Sequence, residues 1–125
     1  KEHLLSVTRK GKEGAEEIRQ MMVNFRSNPP TDINGSKVVR IADYLLHNDQ
    51  DMVQGTSKPI DLPTSDVLQF FTGDGSKISI RPSGTEPKIK YYFSVKESLP
   101  SVASFNQVNT LLDERIKRIM RDLGL

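Results

Sequence analysis

Residues 77–96 read Lys77-Ile78-Ser79-Ile80-Arg81, then Pro82-Ser83-Gly84-Thr85-Glu86-Pro87, then Lys88-Ile89-Lys90-Tyr91-Tyr92-Phe93-Ser94-Val95-Lys96. The outer runs alternate. Ile78 and Ile80 fall on one side of an extended chain, Ser79 and Arg81 on the other. Ile89, Tyr91, Phe93 and Val95 alternate in the same way with Lys88, Lys90, Tyr92, Ser94 and Lys96. A period of two marks a half-buried strand, so this stretch predicts two strands around a loop. Arg81 and Lys90 both fall away from the apolar stripes. If the strands pair, both cations can reach one volume near the loop.

Working outward, Val67–Thr72 is a strand that Gly73-Asp74-Gly75 turns into the run at Lys77–Arg81. Lys37–Tyr44, with Val38-Val39-Arg40-Ile41, is a strand following an Asn34-Gly35 turn. Leu45–Ser65 has no clean period and carries Asn48, Asp49, Asp51, Gly55, Pro59 and Pro63, the composition of a long loop. Gly11–Asn28 is a helix, with Ile18, Met21, Met22 and Phe25 on one stripe and Asn28-Pro29-Pro30 as its stop. A second helix is expected from about Ser104 to Leu123. Ser104 and Gln107 form its capping box, and Val108, Leu111, Leu112, Ile116, Ile119, Met120 and Leu123 its core stripe. The order helix, four strands, helix predicts an α+β, two-layer fold: a four-stranded, mainly antiparallel sheet with two helices on one face.

At 125 residues the chain holds a single core. A net charge of +2, with charges of mixed sign, supplies no basic field of the kind a dedicated nucleic-acid binder carries. There is no cysteine, so no disulfide framework and no thiolate metal site. No apolar run reaches the roughly 20 residues of a membrane span. These features give the cytoplasm as the expected compartment and exclude a membrane partner. The chain opens at Lys1 rather than at methionine, and residues 1–10 read as an extended entry or interdomain linker to a domain at 11–125.

The loop is an inventory for gripping phosphate. Arg81 offers a planar fork of donors, Lys90 a point charge, Ser83 and Thr85 their hydroxyls, and Gly84 a backbone free to present its amide. The same residues also suit an ordinary polar turn flanked by solvated cations. Glu86 is a loop-surface carboxylate or a candidate support for Arg81 or a ligand. His3 and His47 lack metal-ligand spacing, and Asp49 with Asp51 lacks the rest of a calcium loop. Ser83 is not set in a nucleophile motif. An alternative is a nucleic-acid- or protein-binding α+β module using Tyr91, Tyr92 and Phe93, although half of that set must face the core. A purely structural tail is a third.

The string Arg81, Ser83, Gly84, Thr85, Glu86, Pro87, Lys90 resembles the C-terminal phosphate-binding signature of the α-D-phosphohexomutases, the phosphoglucomutase/phosphomannomutase family. Lys90 is a mild departure, since arginine is frequent there. Gly11–Arg26, Asn28-Pro29-Pro30, Asp43-Tyr44 and Gly73-Asp74-Gly75 extend the likeness over nearly the whole chain. The resemblance implies the last of four domains. A phosphoserine in the first transfers the phosphoryl group, Mg2+ is held by an Asp-Gly-Asp-x-Asp-Arg loop in the second, and the third reads sugar hydroxyls. The last grips the non-transferring phosphate of a glucose or mannose phosphate through Arg81, Ser83, Gly84, Thr85 and Lys90. Neither the serine loop nor the metal loop is present here. The resemblance therefore implies no catalytic residue and no metal ligand in this chain, which alone is expected not to catalyse. Its expected partners are a hexose phosphate and the remaining domains, with no nucleic acid.

Overall fold

In the computed structural model the elements run β1 (Glu2–Thr8), α1 (Gly14–Ser27), β2 (Asp32–Ile33), β3 (Ser36–Asp43), β4 (Asn48–Asp51), β5 (Thr56–Pro59), β6 (Leu68–Thr72), β7 (Lys77–Pro82), β8 (Lys88–Ser94) and α2 (Phe105–Asp122). The structure describes residues 2–9, 11, 13–95 and 105–125, without the side chains of 105–109. The expected Ser104 cap, the strand end at Lys96 and the Gln107 and Val108 side chains lie outside that set. The class is α+β, and every strand pairing is antiparallel.

Among the described residues the sheet has eight strands rather than four. Its order is β1-β8-β7-β6-β3-β4-β5, with β2 paired to β3 beside that path. The additional strands are polar, very short or weakly patterned. The stretch expected as a long loop folds as the β4–β5 hairpin, whose strands read Asn-Asp-Gln-Asp and Thr-Ser-Lys-Pro. Every residue of β5 is exposed, so nothing imposes an apolar alternation on it. The β2–β3 turn is the Asn34-Gly35 pair, and both residues have positive φ (52° and 73°). That is the backbone twist a two-residue hairpin needs.

The alternation of β6, β7 and β8 defines the core face. Leu68, Phe70, Ile78, Ile80, Ile89, Tyr91 and Phe93 are buried there, and Val95 just beyond β8 is buried too. Ile18 and Met22 of α1 and Leu112, Ile116 and Ile119 of α2 belong to the same cluster. Phe25 meets Phe70 and Tyr91 with ring centroids 6.2 Å apart. Leu111, expected in the core stripe of α2, is 55% exposed. It lies about 100° round the helix from Leu112, beyond the edge of the buried face.

Arg26 fastens the end of α1 to the sheet. Its guanidinium donates to Asp43 at 2.9 and 3.3 Å and to Asp66 at 2.7 Å. Burial works against the Arg26 charge, but the two carboxylates more than offset it and keep the group firmly protonated. Asp43 also accepts the N–H groups of Leu45 and Leu46, which shapes the turn after β3.

Two buried hydroxyls among the described residues lack a hydrogen-bond partner, Ser76 Oγ and the Tyr91 phenol. Burial pushes the Tyr91 phenol up to about 12, slightly opposed by the Arg9 charge. An unfolded tyrosine titrates near 10. The folded state therefore holds the proton more tightly, and this contribution to stability is complete below about pH 10 and lost as pH rises towards 12. Tyr91→Phe is expected to keep or raise stability near neutrality by up to about 1 kcal/mol. It should also flatten the alkaline loss. Denaturant unfolding at about pH 8 and about pH 11 checks both.

Candidate functional site

Because β7 and β8 pair in register, Arg81 lies directly opposite Lys90, Ser79 opposite Tyr92 and Ile80 opposite Tyr91. The isoleucines and Tyr91 are buried, so Arg81 and Lys90 share the outer face. Among the described residues neither forms an ion pair. Arg26 and Arg40, by contrast, are committed. Arg40 grips Asp49 at 2.8 and 2.7 Å and lies over the Phe71 ring at 4.5 Å. Like charges directly opposite on neighbouring strands repel. The Arg81–Lys90 pair is thus a concentration of positive charge without an ion-pair partner among the described residues, in a position that destabilises the sheet.

Between these strands the chain turns through residues 83–87. The Ser83 N–H donates to the Lys88 carbonyl at 2.9 Å, and the Lys88 N–H to the Glu86 carbonyl at 2.7 Å. The Thr85 and Glu86 N–H groups converge on Ser83 Oγ at 3.4 and 3.3 Å. These bonds are long, so the two amides are donors aimed at a common point and only weakly engaged. Gly84 lies outside the left-handed φ region, and a Cβ built there would meet nothing within 4 Å. The turn is made by Ser83 Oγ and the flanking prolines, not by glycine's conformational freedom. Thr85 is exposed. Glu86 pairs with Lys88 at 2.9 Å rather than with Arg81. The hydrogen bond and charge of Lys88 hold the Glu86 carboxyl below the usual carboxylate range, against slight desolvation and with a small contribution from Lys90.

The loop is braced from behind. The Arg9 N–H donates to the Pro87 carbonyl at 2.8 Å. Gly14 opens α1 so close to this junction that an added Cβ would lie 2.4 Å from the Arg9 carbonyl oxygen and 3.2 Å from Pro87 Cβ. The absence of a side chain at 14 is what lets the helix start against the loop.

The candidate residues do not share one cavity. Ser83, Gly84, Thr85 and Glu86 line an open cavity of about 580 Å³ against α1, together with Arg19 and Arg26. Arg81 lines a cavity of about 530 Å³ on the outer face. No residue of the loop lines the second cavity. Ser6, which the sequence did not single out, lies directly opposite Lys90 and extends the row to Ser6–Lys90–Arg81. The only sequence signal for it was the Leu5-Ser6-Val7-Thr8 alternation. Tyr91 and Phe93 are buried, leaving Tyr92 as the outward aromatic of that run. The described residues hold no group of three or more His, Asp or Glu placed to take a metal ion. No described helix is long and apolar enough to cross a membrane.

An antiparallel α+β domain with a cation pair and a hydroxyl loop at one hairpin end is the class these features define. Residues 6–108 match the family model described as "Phosphoglucomutase/phosphomannomutase, C-terminal domain". The chain belongs to that family. It is similar to the phosphoglucomutase of Staphylococcus aureus strain MRSA252, 46% identical over 93 residues, or 74% of this chain and 17% of that protein. The phosphoglucomutases of strains bovine RF122 / ET3-1 and MSSA476 are 45% identical over the same shares. The matched stretch is thus a small fraction of the length of these curated relatives.

The like-charge pair carries a measurable signature. Arg81→Gln or Lys90→Gln is expected to leave the fold as stable as before or to raise its stability by about 0.2–1 kcal/mol in phosphate-free buffer. The gain should shrink as salt screens the repulsion. Urea unfolding at low and high ionic strength measures it.

Proposed function

We propose that this chain is the phosphate-gripping domain of a phosphohexomutase and holds the non-transferring phosphate of a glucose or mannose phosphate. The observation that carries this assignment is the Arg81–Lys90 pair, two cations held opposite each other with no ion-pair partner among the described residues. A dianionic phosphate relieves that repulsion through charge-assisted hydrogen bonds. Ser83, Thr85 and the amides around Gly84 complete the donor set from the loop, and Glu86 supports it through Lys88. The open space at Gly84, with no backbone strain to demand glycine, is what the close approach of a ligand to the main chain requires.

In this proposal residues 1–10 lead in from a preceding domain, with Glu2–Thr8 paired along β8, and 11–125 carry the clamp residues. Both helices back one face of the sheet, as their share in a single buried cluster supports, leaving the cation row on the other. The chain binds and orients but does not transfer the phosphoryl group. The phosphoserine, the Mg2+ ligands and the sugar-reading residues belong to other parts of a cytoplasmic parent enzyme. Binding energy spent on the fixed phosphate positions the distant reacting end, so its loss appears in kcat/KM.

Inorganic phosphate and glucose 1-phosphate titrated into the labelled chain are expected to shift the amides of Ser83, Gly84 and Thr85 with a Kd of about millimolar. Arg81→Ala should abolish those shifts. Gly84→Ala should fold with unchanged or slightly higher stability, by about 0.4–1 kcal/mol, yet bind more weakly. In the parent enzyme Arg81→Ala should lower kcat/KM by about 10²-fold or more, on the order of 3 kcal/mol. An effect of about tenfold or less would overturn the clamp assignment.

A further inference from the structure

The donors at the tip of the loop do not hold themselves. The Thr85 and Glu86 N–H groups make only long bonds to Ser83 Oγ. Their place is inherited from the base of the loop at Pro87 and Lys88. We propose that Gly14, together with the main-chain N–H of Arg9, is a positioning residue for the phosphate loop, fixing where its donors stand without touching the ligand. The inference rests on the phosphate assignment above and concerns what keeps that site in shape.

The base is held from two sides. From β7, the Ser83 N–H donates to the Lys88 carbonyl at 2.9 Å. From β1, Ser6, Val7 and Thr8 lie opposite Lys90, Ile89 and Lys88. The Arg9 N–H then reaches the Pro87 carbonyl at 2.8 Å, the next step of the same register. The chain turns at Gly11, where φ is 95°, and the Gly14 N–H donates to the Gly11 carbonyl at 3.2 Å as α1 begins.

Gly14 is buried and lines neither the cavity of the loop nor that of Arg81, so it has no contact to offer a ligand. Its place is the wedge between Arg9 and Pro87. An added Cβ would lie 2.4 Å from the Arg9 carbonyl oxygen, 3.0 Å from the Arg9 carbonyl carbon and 3.2 Å from Pro87 Cβ. The first two neighbours are main chain and yield only if Arg9 moves, and Arg9 is the residue that holds Pro87. Shifting the helix instead would disturb Ile18 and Met22, which are packed in the core. The displacement therefore falls on the loop base. A binding constellation works only while its donors stand within about 0.5 Å of the productive geometry.

The test separates position from general stability. The 125-residue chain is titrated with inorganic phosphate, followed by its backbone amides, as wild type, Gly14→Ala, Arg9→Pro, Arg9→Ala and Ile116→Val. Gly14→Ala should move the Ser83, Gly84, Thr85 and Glu86 amides before ligand is added and raise the phosphate Kd about tenfold. Arg9→Pro deletes the N–H and should bind phosphate about threefold or more weaker than Arg9→Ala, which loses the same half-exposed side chain but keeps the donor. Ile116→Val lowers stability from a buried site in α2 and should leave the Kd within about twofold of the wild type. If Gly14→Ala does not fold, the wild type decides. Coupling is reciprocal, so saturating phosphate should slow hydrogen exchange of the Arg9 amide about threefold or more. Wild-type affinity in a folded Gly14→Ala, equal affinity of the two Arg9 variants, as large a loss in Ile116→Val, or an Arg9 amide indifferent to phosphate overturns the positioning role while leaving the phosphate assignment standing. No phosphate binding by the wild type overturns the phosphate assignment, and the positioning role falls with it.

Discussion

The register of the β7–β8 hairpin is the constraint on which the rest of the molecule depends. Ile78 faces Phe93 and Ile80 faces Tyr91, which fills the centre of the core. The same register sets Arg81 against Lys90 on the other side. Side chains alternate with a period of two, so a slip of β7 by one residue would turn Ile78 and Ile80 to solvent and Arg81 into the core. Core and candidate site are therefore specified by one set of ladder hydrogen bonds. The burial of Ile78, Ile80, Tyr91 and Phe93 holds the cations in opposition against their own repulsion.

The arginines divide by what they answer. Arg26 is closed off by two carboxylates and ties helix to sheet. Arg40 is bound to Asp49, whose carboxyl it holds below the usual range chiefly through their hydrogen bond, against desolvation. Removing one partner of the buried Arg26–Asp43 pair would strand the other charge, at a cost of about 3–5 kcal/mol, so that pair serves the fold. Arg81 answers nothing within the described chain. In the proposed clamp, the phosphate is the partner that Arg81 and Lys90 lack within the described chain.

Much of this was legible in the amino-acid order because the apolar pattern is strict where the sheet is deep. β8 alternates without error, Gly73-Asp74-Gly75 marks the turn between β6 and β7, and Ile18, Met22 and Phe25 mark the packed side of α1. The pattern fails where strands lie at or near an edge. β4 buries Asp49 by pairing it with Arg40, and β5 buries nothing, so neither carries a hydrophobic signature. β1 carries only the short alternation of Leu5 and Val7, too little to distinguish a paired strand from an extended entry segment. The members of the candidate loop were named from their residue types and from the family signature they resemble. That Ser83 Oγ organises the turn, that Glu86 is taken by Lys88, and that Ser6 and Ser79 stand beside the cations depend on register and rotamer, which composition does not encode.

The pairing of β1 with β8 joins residues near the two ends of the described sheet sequence, with all the other strands between them. Contacts of such sequence separation form late, because the intervening chain must lose its freedom before they return any stabilisation. The β6–β7 and β7–β8 hairpins close short loops and can form first. The outer face would then be finished in stages, the Arg81–Lys90 opposition early and its Ser6 and Leu4 flank last. A chain caught between those stages would present its charges before it presented a shaped surface, with the free edge of β8 exposed to any strand that found it.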